Sequence, residues 1–382
     1  MNLFQTVVRD GRYTSIQPPT GMPMPQLLLV FGSVKALTDP VCIDTLRTHF
    51  PDAAIVGCST AGEISKAGVD DDSVVITGIY LQHTRIEVAV SHFAGIEDSY
   101  QSGLRLGQQL QGPKLSHVLL FGQGVNINGS ALIDGLRSAL PATTLVSGGL
   151  AADAGAFKQT FVMTREGAKA DQNVAVGFYG DQLVVGHGSF GGWRAFGPVR
   201  VVTRAKENLL YELDGVPALE IYKKYLGEYA HDLPASGLLF PFSVLDDQYA
   251  NSGLIRTILG VNESDGSLIL AGDISAAKYL QLMHATTDAL VDGAHAAAES
   301  AFQALRTPGT LLGLLVSCVG RKLVMGARVD EEVEAVANVL GSQTVLTGFY
   351  SNGEISPFLR GPECKLHNQT MTITTIGECA GA

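Results

Sequence analysis

The sequence has little charge and no long apolar run, and each shortage excludes a class of protein. Charged residues make up 16% of the chain, and the net charge is −11. No run of basic residues is longer than a pair such as Lys223-Lys224, whereas neutralising phosphates requires clustered lysine and arginine. The longest apolar run, Thr310–Val319, is too short to span a bilayer and is interrupted by glycine. The sequence therefore predicts neither a nucleic-acid partner nor a membrane span.

Cysteine is also scarce. The five cysteines are scattered and form no C-x-x-C pair, which argues against a zinc cluster and predicts a reducing cytoplasm. No apolar signal segment develops at the N-terminus, because Arg9 and Asp10 follow Val7-Val8 directly. Residues 1–24, which include the start of the proline-rich segment Gln17–Pro25, are therefore predicted to be a leader or linker.

Apolar residues, in contrast, are abundant. They make up 46% of the 382 residues, so the chain is expected to fold around well-buried cores and, at this length, in two domains. We place the boundary near Gly215, which gives domains at 25–215 and 216–376 and a tail at 377–382.

One pattern, G-x-x-x-x-G-E-I-S, occurs twice, at Gly57–Ser65 (the first turn) and at Gly348–Ser356 (the third turn). A weaker copy, Gly148–Asp153 (the second turn), lies between them. Each copy follows an apolar run, a helical pattern and a second short apolar run. Such self-similarity indicates one supersecondary unit used several times, here inside a globular protein.

The coarse pattern is that of an α/β protein. Asp39 and Pro40 are suited to begin a helix over Pro40–Phe50, and strand pairs such as Ser73–Tyr80 and Arg85–Ser91 follow the repeated units. The apolar spacing over Ala276–Leu305, which includes Tyr279 and Met283, predicts one long helix. We therefore expect mixed β-sheets flanked by helices, internally duplicated, in two packed domains.

The glycine turns are candidate ligand sites, because small residues leave backbone N–H groups accessible to a small polar or anionic ligand. The alternative is that the glycines only shape tight turns between packed layers. Hydroxyl and amide side chains in the third turn are of the kind that orient a polar ligand. The predicted contacts in the three turns are Cys58, Ser59, Thr60, Gly148, Gly149, Tyr350, Ser351 and Asn352.

Three charged residues add candidate chemistry. Glu63 and Glu354, which end matching Gly-Glu pairs, are predicted either to hold a ligand ammonium or to bind backbone N–H groups or an arginine in the turn. Arg194, beside the single tryptophan Trp193, is predicted either to clamp a carboxylate or to form a structural salt bridge.

His367, Asn368 and Gln369 interrupt a late apolar strand with three hydrogen-bonding side chains. Such side chains need partners when buried. We predict that they support the third turn from behind, in preference to direct ligand contact.

Several stretches together resemble the FIST proteins, whose two modules are FIST-N and FIST-C. The resemblance extends from about Pro25 to Thr375. It implies a small-ligand sensory module of bacterial signal transduction, in the stand-alone form that acts on a separate partner such as a histidine kinase. The implied ligand is an amino acid or another small polar molecule. The stretches that carry the resemblance are Gly57–Ser65, Gly191–Pro198, Tyr211–Tyr222, Gly348–Pro357 and Leu366–Met371.

Some FIST proteins bind haem and sense nitric oxide, which makes haem an alternative cofactor. In that case the partner would be a histidine kinase or a cyclic-di-nucleotide enzyme. One axial histidine in an apolar pocket is sufficient, and His187 and His231 are the candidates. No C-x-x-C-H pattern for covalent attachment is present.

A second alternative is a hydrolase-like enzyme with Cys58 or Ser59 as nucleophile. A nucleophile needs a nearby base, and the other two turns have no cysteine at the matching position. The sequence also has no G-x-S-x-G, H-E-x-x-H or P-loop pattern. We therefore predict a protein that is not an enzyme.

Overall fold

A computed structural model describes residues 1–13, 16–303, 311–357 and 364–379. Its strands are β1 (Asn2–Arg9), β2 (Leu27–Gly32), β3 (Ala54–Ser59), β4 (Glu63–Ser65), β5 (Gly68–Asp70), β6 (Ser73–Tyr80), β7 (Arg85–His92), β8 (Leu115–Gly122), β9 (Leu145–Leu150), β10 (Val162–Thr164), β11 (Gly167–Lys169), β12 (Gln172–Tyr179), β13 (Leu183–Phe190), β14 (Arg194–Ala195), β15 (Arg200–Lys206), β16 (Leu209–Leu213), β17 (Val216–Pro217), β18 (Phe242–Leu245), β19 (Asn251–Arg256), β20 (Ile258–Asn262), β21 (Ser267–Leu270), β22 (Tyr279–His284), β23 (Leu311–Cys318), β24 (Thr344–Ser351), β25 (Gly353–Pro357), β26 (Cys364–His367) and β27 (Met371–Glu378).

The helices lie mainly between strands of the repeated units. They are α1 (Val34–Thr38), α2 (Pro40–His49), α3 (Ser99–Gln109), α4 (Gly129–Ser138), α5 (Ala218–Leu226), α6 (Thr287–Gln303), α7 (Val319–Met325) and α8 (Asp330–Leu340). Asp39 caps α2 by accepting a hydrogen bond from the Val41 N–H, as the sequence predicts.

Three sheets repeat one plan, in which two parallel strands are flanked by a later antiparallel strand. The first sheet has β2 and β3 beside β6, the second has β8 and β9 beside β12, and the third has β23 and β24 beside β27. Helices α2, α4 and α8 connect the parallel pairs. The prediction of internally duplicated, mixed sheets flanked by helices is confirmed.

Each repeat gives a hairpin to the sheet of another repeat. The first turn leads into β4–β5, which joins the third sheet beside β24. The second turn precedes β10–β11, which joins the first sheet, and the third turn leads into β25–β26, which joins the second sheet. The three repeats are therefore linked in a cycle, so each sheet is completed by another repeat.

Aromatic side chains fill the core between these sheets. Phe31, Phe121 and Phe349, one from each sheet, contact one another with ring centroids 4.7, 5.5 and 6.1 Å apart. All three are fully buried. The helices cover the outer faces, with α3 and α4 on the second sheet and α6 and α8 on the third.

The fourth sheet has nine strands, in the order β19-β18-β22-β15-β16-β21-β20, with β14 on β22 and β17 on β16. Its core packs against α5 through Leu219, Tyr222 and Leu226. This nine-stranded sheet has no counterpart among the three repeated ones within the described residues, and it forms one wall of the cleft described below.

The predicted long helix over Ala276–Leu305 is wrong in its first third. Tyr279–His284 form β22, in which Leu280 and Leu282 pair with β18. The helix begins at Thr287, with the Thr286 hydroxyl accepting a hydrogen bond from the Ala289 N–H. The spacing of Tyr279 and Met283 fits a helix, but the alternation of buried Leu280 and Leu282 is that of a strand.

The chain ends also differ from the prediction. Asn2–Arg9, within the predicted leader, pairs along its whole length with β6 and buries Phe4 and Val8. At the other end β27 continues to Glu378, past the predicted tail boundary. The boundary near Gly215 stays a prediction, and hydrogen-bonded sheets extend across it, since β13 pairs with β27.

Candidate ligand-binding cleft

Glu63 of the first turn is bound within its own repeat. The residue is 1% exposed, and its Oε1 accepts a hydrogen bond from the Thr60 hydroxyl. Its Oε2 accepts hydrogen bonds from the Ser73 N–H at 3.0 Å and the Ser73 hydroxyl at 2.8 Å. Glu63 therefore ties the turn to the start of β6.

Glu354 of the third turn repeats this arrangement. It is fully buried, and its Oε1 accepts from the Ser351 hydroxyl at 3.0 Å. Its Oε2 accepts from the Thr370 N–H at 3.0 Å and the Thr370 hydroxyl at 2.9 Å. The matching contacts explain why the two turns share one sequence pattern. Each carboxylate binds protein groups, as in the predicted alternative, but Ser73 and Thr370 lie outside the turns.

Burial dominates the titration of both carboxyl groups. Desolvation raises the pKa of Glu63 to about 7 and the pKa of Glu354 to about 8, against the opposing effect of their hydrogen bonds. The two carboxyls lie in packed interior near the strand ends, away from the cleft described below.

In the second repeat, the hydrogen bonds of an amide side chain take the place of those that glutamate makes in the other two repeats. By strand register, Val162 stands where the other turns have glutamate. Gln172, at the position of Ser73, donates from Nε2 to the Val162 carbonyl at 2.8 Å and to the Gly167 carbonyl at 3.2 Å. Asp153 accepts hydrogen bonds from three N–H groups of the following loop.

The other predicted residues of the first two turns are also internal. Ser59 donates to the Ala152 carbonyl at 2.7 Å and accepts from the Phe161 N–H at 2.9 Å. Burial raises the pKa of the Cys58 thiol well above its usual range, which is the opposite of what an activated nucleophile requires. These contacts do not favour the hydrolase alternative.

The glycines of the second turn permit close packing between strands. A Cβ atom on Gly148, whose φ is +138°, would lie 2.0 Å from the Leu120 carbonyl oxygen. One on Gly149 would lie 2.6 Å from the Val316 side chain and 3.1 Å from the Phe349 ring. Both glycines are buried where strands meet.

Tyr350 belongs to a buried ionic network. Its hydroxyl donates to Glu332 Oε1 at 2.5 Å, and Glu332 Oε2 accepts a hydrogen bond from Arg321 Nη2 at 2.6 Å. Arg321 and Glu332 are both fully buried. Burial, together with the Glu332 charge, raises the pKa of Tyr350 well above its usual range. The network fixes the end of β24 to α7 and α8.

Trp193 and Arg194 do not act as a pair. Trp193 is buried, donates from Nε1 to the Gln369 carbonyl at 2.7 Å and lines a cavity of about 350 Å³ that is separate from the cleft. Arg194 is exposed on β14, opposite His284, and forms no ion pair with the described residues. Neither residue lies in the turns that carry Glu63 and Glu354.

Two side chains of the segment after β26, Asn368 and Gln369, each have a buried amide oxygen without a hydrogen-bond partner among the described residues. His367 Nε2 lies 3.1 Å from the Ser356 carbonyl, and burial lowers the pKa of His367 to about 4. Gln369 donates from Nε2 to the Leu238 carbonyl at 2.8 Å. Asn368, between them, is 1% exposed, and its Oδ1 has no hydrogen-bond partner among the described residues.

A cleft lies between the nine-stranded sheet on one side and the second sheet with α3 and α4 on the other. It contains two neighbouring cavities, of about 230 Å³ (the smaller cavity) and about 580 Å³ (the larger cavity). Both are lined in part by Asn128, Ala131 and Leu366.

Asn352 and Asn368 line the smaller cavity. Asn352 donates from Nδ2 to the Gly124 carbonyl at 3.3 Å, while its buried Oδ1, like that of Asn368, has no partner among the described residues. Leu259 and Leu270 of the nine-stranded sheet provide apolar wall on the other side. The structure therefore brings Asn352 together with the predicted supporting residue Asn368 in one cavity wall, whereas Glu63 lines neither cavity.

The sequence did not identify Arg256, which lines the larger cavity and is 5% exposed. It also did not identify Asn128, which caps α4 by accepting a hydrogen bond from the Ala131 N–H at 3.1 Å. The available signal was an arginine inside the apolar strand segment Ile255–Ile258, where a buried guanidinium requires partners.

The histidines predicted as haem ligands lie elsewhere. His187 is on β13, whose neighbouring Gly186 packs so closely on α6 that an added Cβ would lie 2.1 Å from the Ala301 carbonyl oxygen. His231 is exposed in the short segment 227–232. Neither histidine lines the cleft, so these residues do not fit an axial role in a haem site there.

Two features are absent from the described part of the chain. It contains no group of three or more histidine, cysteine, aspartate or glutamate residues that could hold a metal ion. No helix there has both the length and the apolar character required to cross a membrane.

Comparisons with known proteins give a family for this chain. The sequence matches no curated protein. Among solved structures, it is similar to cyanuric acid hydrolase from A. caulinodans, with 9% identity, a TM-score of 0.35, and coverage of 94% of this chain and 91% of that chain. A TM-score this low supports no inference about fold or reaction. The FIST N domain model matches residues 26–216, and the FIST C domain model matches residues 218–357. FIST domains are small-ligand-binding sensory domains of signalling proteins, and this chain belongs to the FIST family.

Proposed function

We propose that this protein senses a small polar molecule by binding it in the cleft, and that binding changes the surface offered to a signalling partner. The observation that carries the proposal is the pair of unpartnered amide oxygens, Asn352 Oδ1 and Asn368 Oδ1. A buried polar atom without a partner costs free energy, and a ligand that donates hydrogen bonds to it removes that cost.

The smaller cavity defines which ligands fit. Its two open oxygens accept hydrogen bonds, so the ligand presents N–H or O–H groups to them. Exposed Glu97 and Glu207 also line this cavity and favour a ligand that carries positive charge at this end. Apolar groups of Leu259 and Leu270 accommodate a short hydrocarbon part.

The position of the cleft suggests how binding is communicated. One wall belongs to the nine-stranded sheet and the other to the repeated sheets, so a bound ligand contacts both. Binding shifts the population towards the arrangement that contacts the ligand on both sides. We propose a separate signalling protein, such as a histidine kinase, as the partner that distinguishes the two arrangements.

A thermal-shift screen of amino acids and other small polar molecules tests the proposal, because a ligand specific to the native state raises the melting temperature. The compound that stabilises the protein most is then titrated by calorimetry into wild type, Asn368→Ala and Asn338→Ala. Asn338 is an exposed residue of α8 and serves as the matched control.

Loss of roughly 1–2 kcal/mol of binding free energy in Asn368→Ala, with Asn338→Ala unchanged, is the expected result. Equal affinity in all three proteins would place the ligand outside the cleft. Failure of every compound in a broad screen to stabilise the wild type would contradict the sensory function itself.

A further inference from the structure

Arg256 is a buried cation that is held only by main-chain carbonyls. Its Nε donates to the Asp273 carbonyl at 3.1 Å, and its Nη1 donates to the carbonyls of Ile255 at 3.1 Å and Leu366 at 3.4 Å. Its Nη2 donates to no atom of the described residues. One edge of the guanidinium is therefore fixed and oriented while a donor remains open.

No carboxylate of the described residues lies within ion-pair distance of Arg256. Asp273 makes its hydrogen bond to Arg256 through the main chain, and its exposed carboxylate, which accepts a hydrogen bond from the Ser275 N–H, acts on the Arg256 charge without an ion-pair contact. A buried charge without a counter-charge is strongly disfavoured. Desolvation lowers the pKa of Arg256 to about 10, which leaves the guanidinium charged at neutral pH.

Arg256 shares the larger cavity with the N-terminus of α4, a helix of ten residues. Ser130, near the start of that helix, also lines the cavity, and the positive end of the helix dipole favours an anion there. The cavity has three other charged residues in its walls, the exposed Asp134 and Asp273 and the partly buried Lys365. Arg256 is thus the most deeply buried of the four charges.

We propose that the open Nη2 edge of Arg256 binds the carboxylate of a small organic acid in the larger cavity. The planar guanidinium matches a carboxylate in shape, and the contact supplies a directly paired counter-charge, which Arg256 lacks among the described residues. The negative charges of Asp134 and Asp273 disfavour a doubly charged phosphate. This inference rests on the proposed function, and it assigns the anionic end of the ligand to Arg256 while its N–H groups face Asn352 and Asn368.

The test compares each carboxylate that stabilises the protein with its uncharged primary amide, and includes inorganic phosphate as a separate arm. Affinities are measured by calorimetry for wild type, Arg256→Gln, Arg256→Lys and Arg204→Gln. Arg204 is an exposed arginine of the same nine-stranded sheet, paired with Glu212, and is the matched control. Circular dichroism and the melting temperature without ligand establish that each variant is folded.

The expected loss of carboxylate affinity is roughly 10- to 100-fold in Arg256→Gln and smaller in Arg256→Lys, with no change in Arg204→Gln. The amide is expected to bind the wild type at least about tenfold more weakly than the acid. The proposal is overturned if Arg256→Gln is folded and binds the acid as tightly as the wild type. It is also overturned if phosphate binds the wild type more tightly than every acid.

Two outcomes separate this inference from the proposed function. In the first outcome an acid binds the wild type, and its affinity falls in Asn368→Ala but not in Arg256→Gln. The carboxylate site is then wrong, and the cleft remains the ligand site. If no compound binds the wild type, both fail together. Should Arg256→Gln not fold, Arg256→Lys carries the same test, with unchanged affinity for the acid counting against the proposal.

Discussion

Polar groups in the three strand-end turns differ from polar groups in the cleft in whether the chain supplies their partners. In the turns, Glu63 and Glu354 each accept three hydrogen bonds from their own repeats. In the cleft, Asn352 and Asn368 keep open oxygens, and Arg256 keeps an open donor. Both regions are buried and polar, so burial alone does not distinguish a structural group from a binding group. The two sets of groups differ instead in the completeness of their hydrogen bonding.

The largest change in stability is expected in the buried ionic network of Arg321, Glu332 and Tyr350. Glu332→Ala removes the counter-charge of Arg321, which is fully buried, and also the acceptor of the Tyr350 hydroxyl. We expect a loss of about 3–5 kcal/mol in the free energy of unfolding. Urea denaturation measures it, with exposed Glu334→Ala on the same helix as the control. If Glu332→Ala loses no more unfolding free energy than Glu334→Ala, the buried ionic network is not a structural element, and the contrast with the cleft fails.

A pH dependence should follow from Glu63 and Glu354. Their pKa values are raised to about 7 and about 8 by burial, so between the ordinary pKa near 4.5 and these values the native state binds more protons than the unfolded state. Their contribution to stability is therefore present below pH 4.5 and is lost as pH rises through 7 and 8. Each carboxyl contributes a loss of about 1.4 kcal/mol per pH unit well between its ordinary pKa and its raised pKa, about half of that slope at the raised pKa, and none well above it.

Buried histidines oppose this trend at lower pH. The pKa of His117 is lowered to about 3 and that of His367 to about 4, so their contributions rise with pH up to about 6.5. The measurement is the free energy of unfolding from pH 6.5 to 8, compared with Glu63→Gln/Glu354→Gln. A double variant whose stability falls as steeply as that of wild type over this range would contradict the assignment.

A smaller effect is expected in the second repeat. Gln172→Ala leaves the Val162 and Gly167 carbonyls without their side-chain donor and should cost about 1–2 kcal/mol of unfolding free energy. Exposed Gln111→Ala, which also loses a hydrogen bond to a main-chain carbonyl, is the control in the same denaturation experiment. If the two variants lose the same small amount, the amide does not replace the glutamate contacts of the other turns.

The smallest change in stability should occur in the cleft. Asn368→Ala removes an Oδ1 atom that has no partner, so we expect the free energy of unfolding to stay within about 0.5 kcal/mol of wild type or to rise. Chemical denaturation without ligand tests this. A loss as large as that expected for Glu332→Ala would mean that Asn368 is a structural group and would remove the distinction between the two regions.

The sequence predicts the repeated unit well because its signals are local. The cap and proline at Asp39-Pro40 and the pattern of β-branched residues in Ser73–Tyr80 each require only neighbouring residues. The exchange of hairpins between repeats is not local. The G-E-I-S pattern gives a strand after each turn, but nothing in it specifies which sheet edge that strand joins.

The site was harder to predict for the same reason. Glu354 and Asn352 are two residues apart in one turn, yet one contacts Thr370 inside the core and the other contacts the cleft. Their different environments depend on strands far along the chain. The only local signal for Arg256 is its apolar neighbours, because its burial results from packing against Gly272 and the Leu366 carbonyl.

The most direct measurement is a crystal structure of the protein in complex with the compound that stabilises it most. We predict electron density in the cleft, with ligand donors within hydrogen-bond distance of Asn352 Oδ1 and Asn368 Oδ1. Ligand density against Glu63 or Glu354, with the cleft empty, would contradict it.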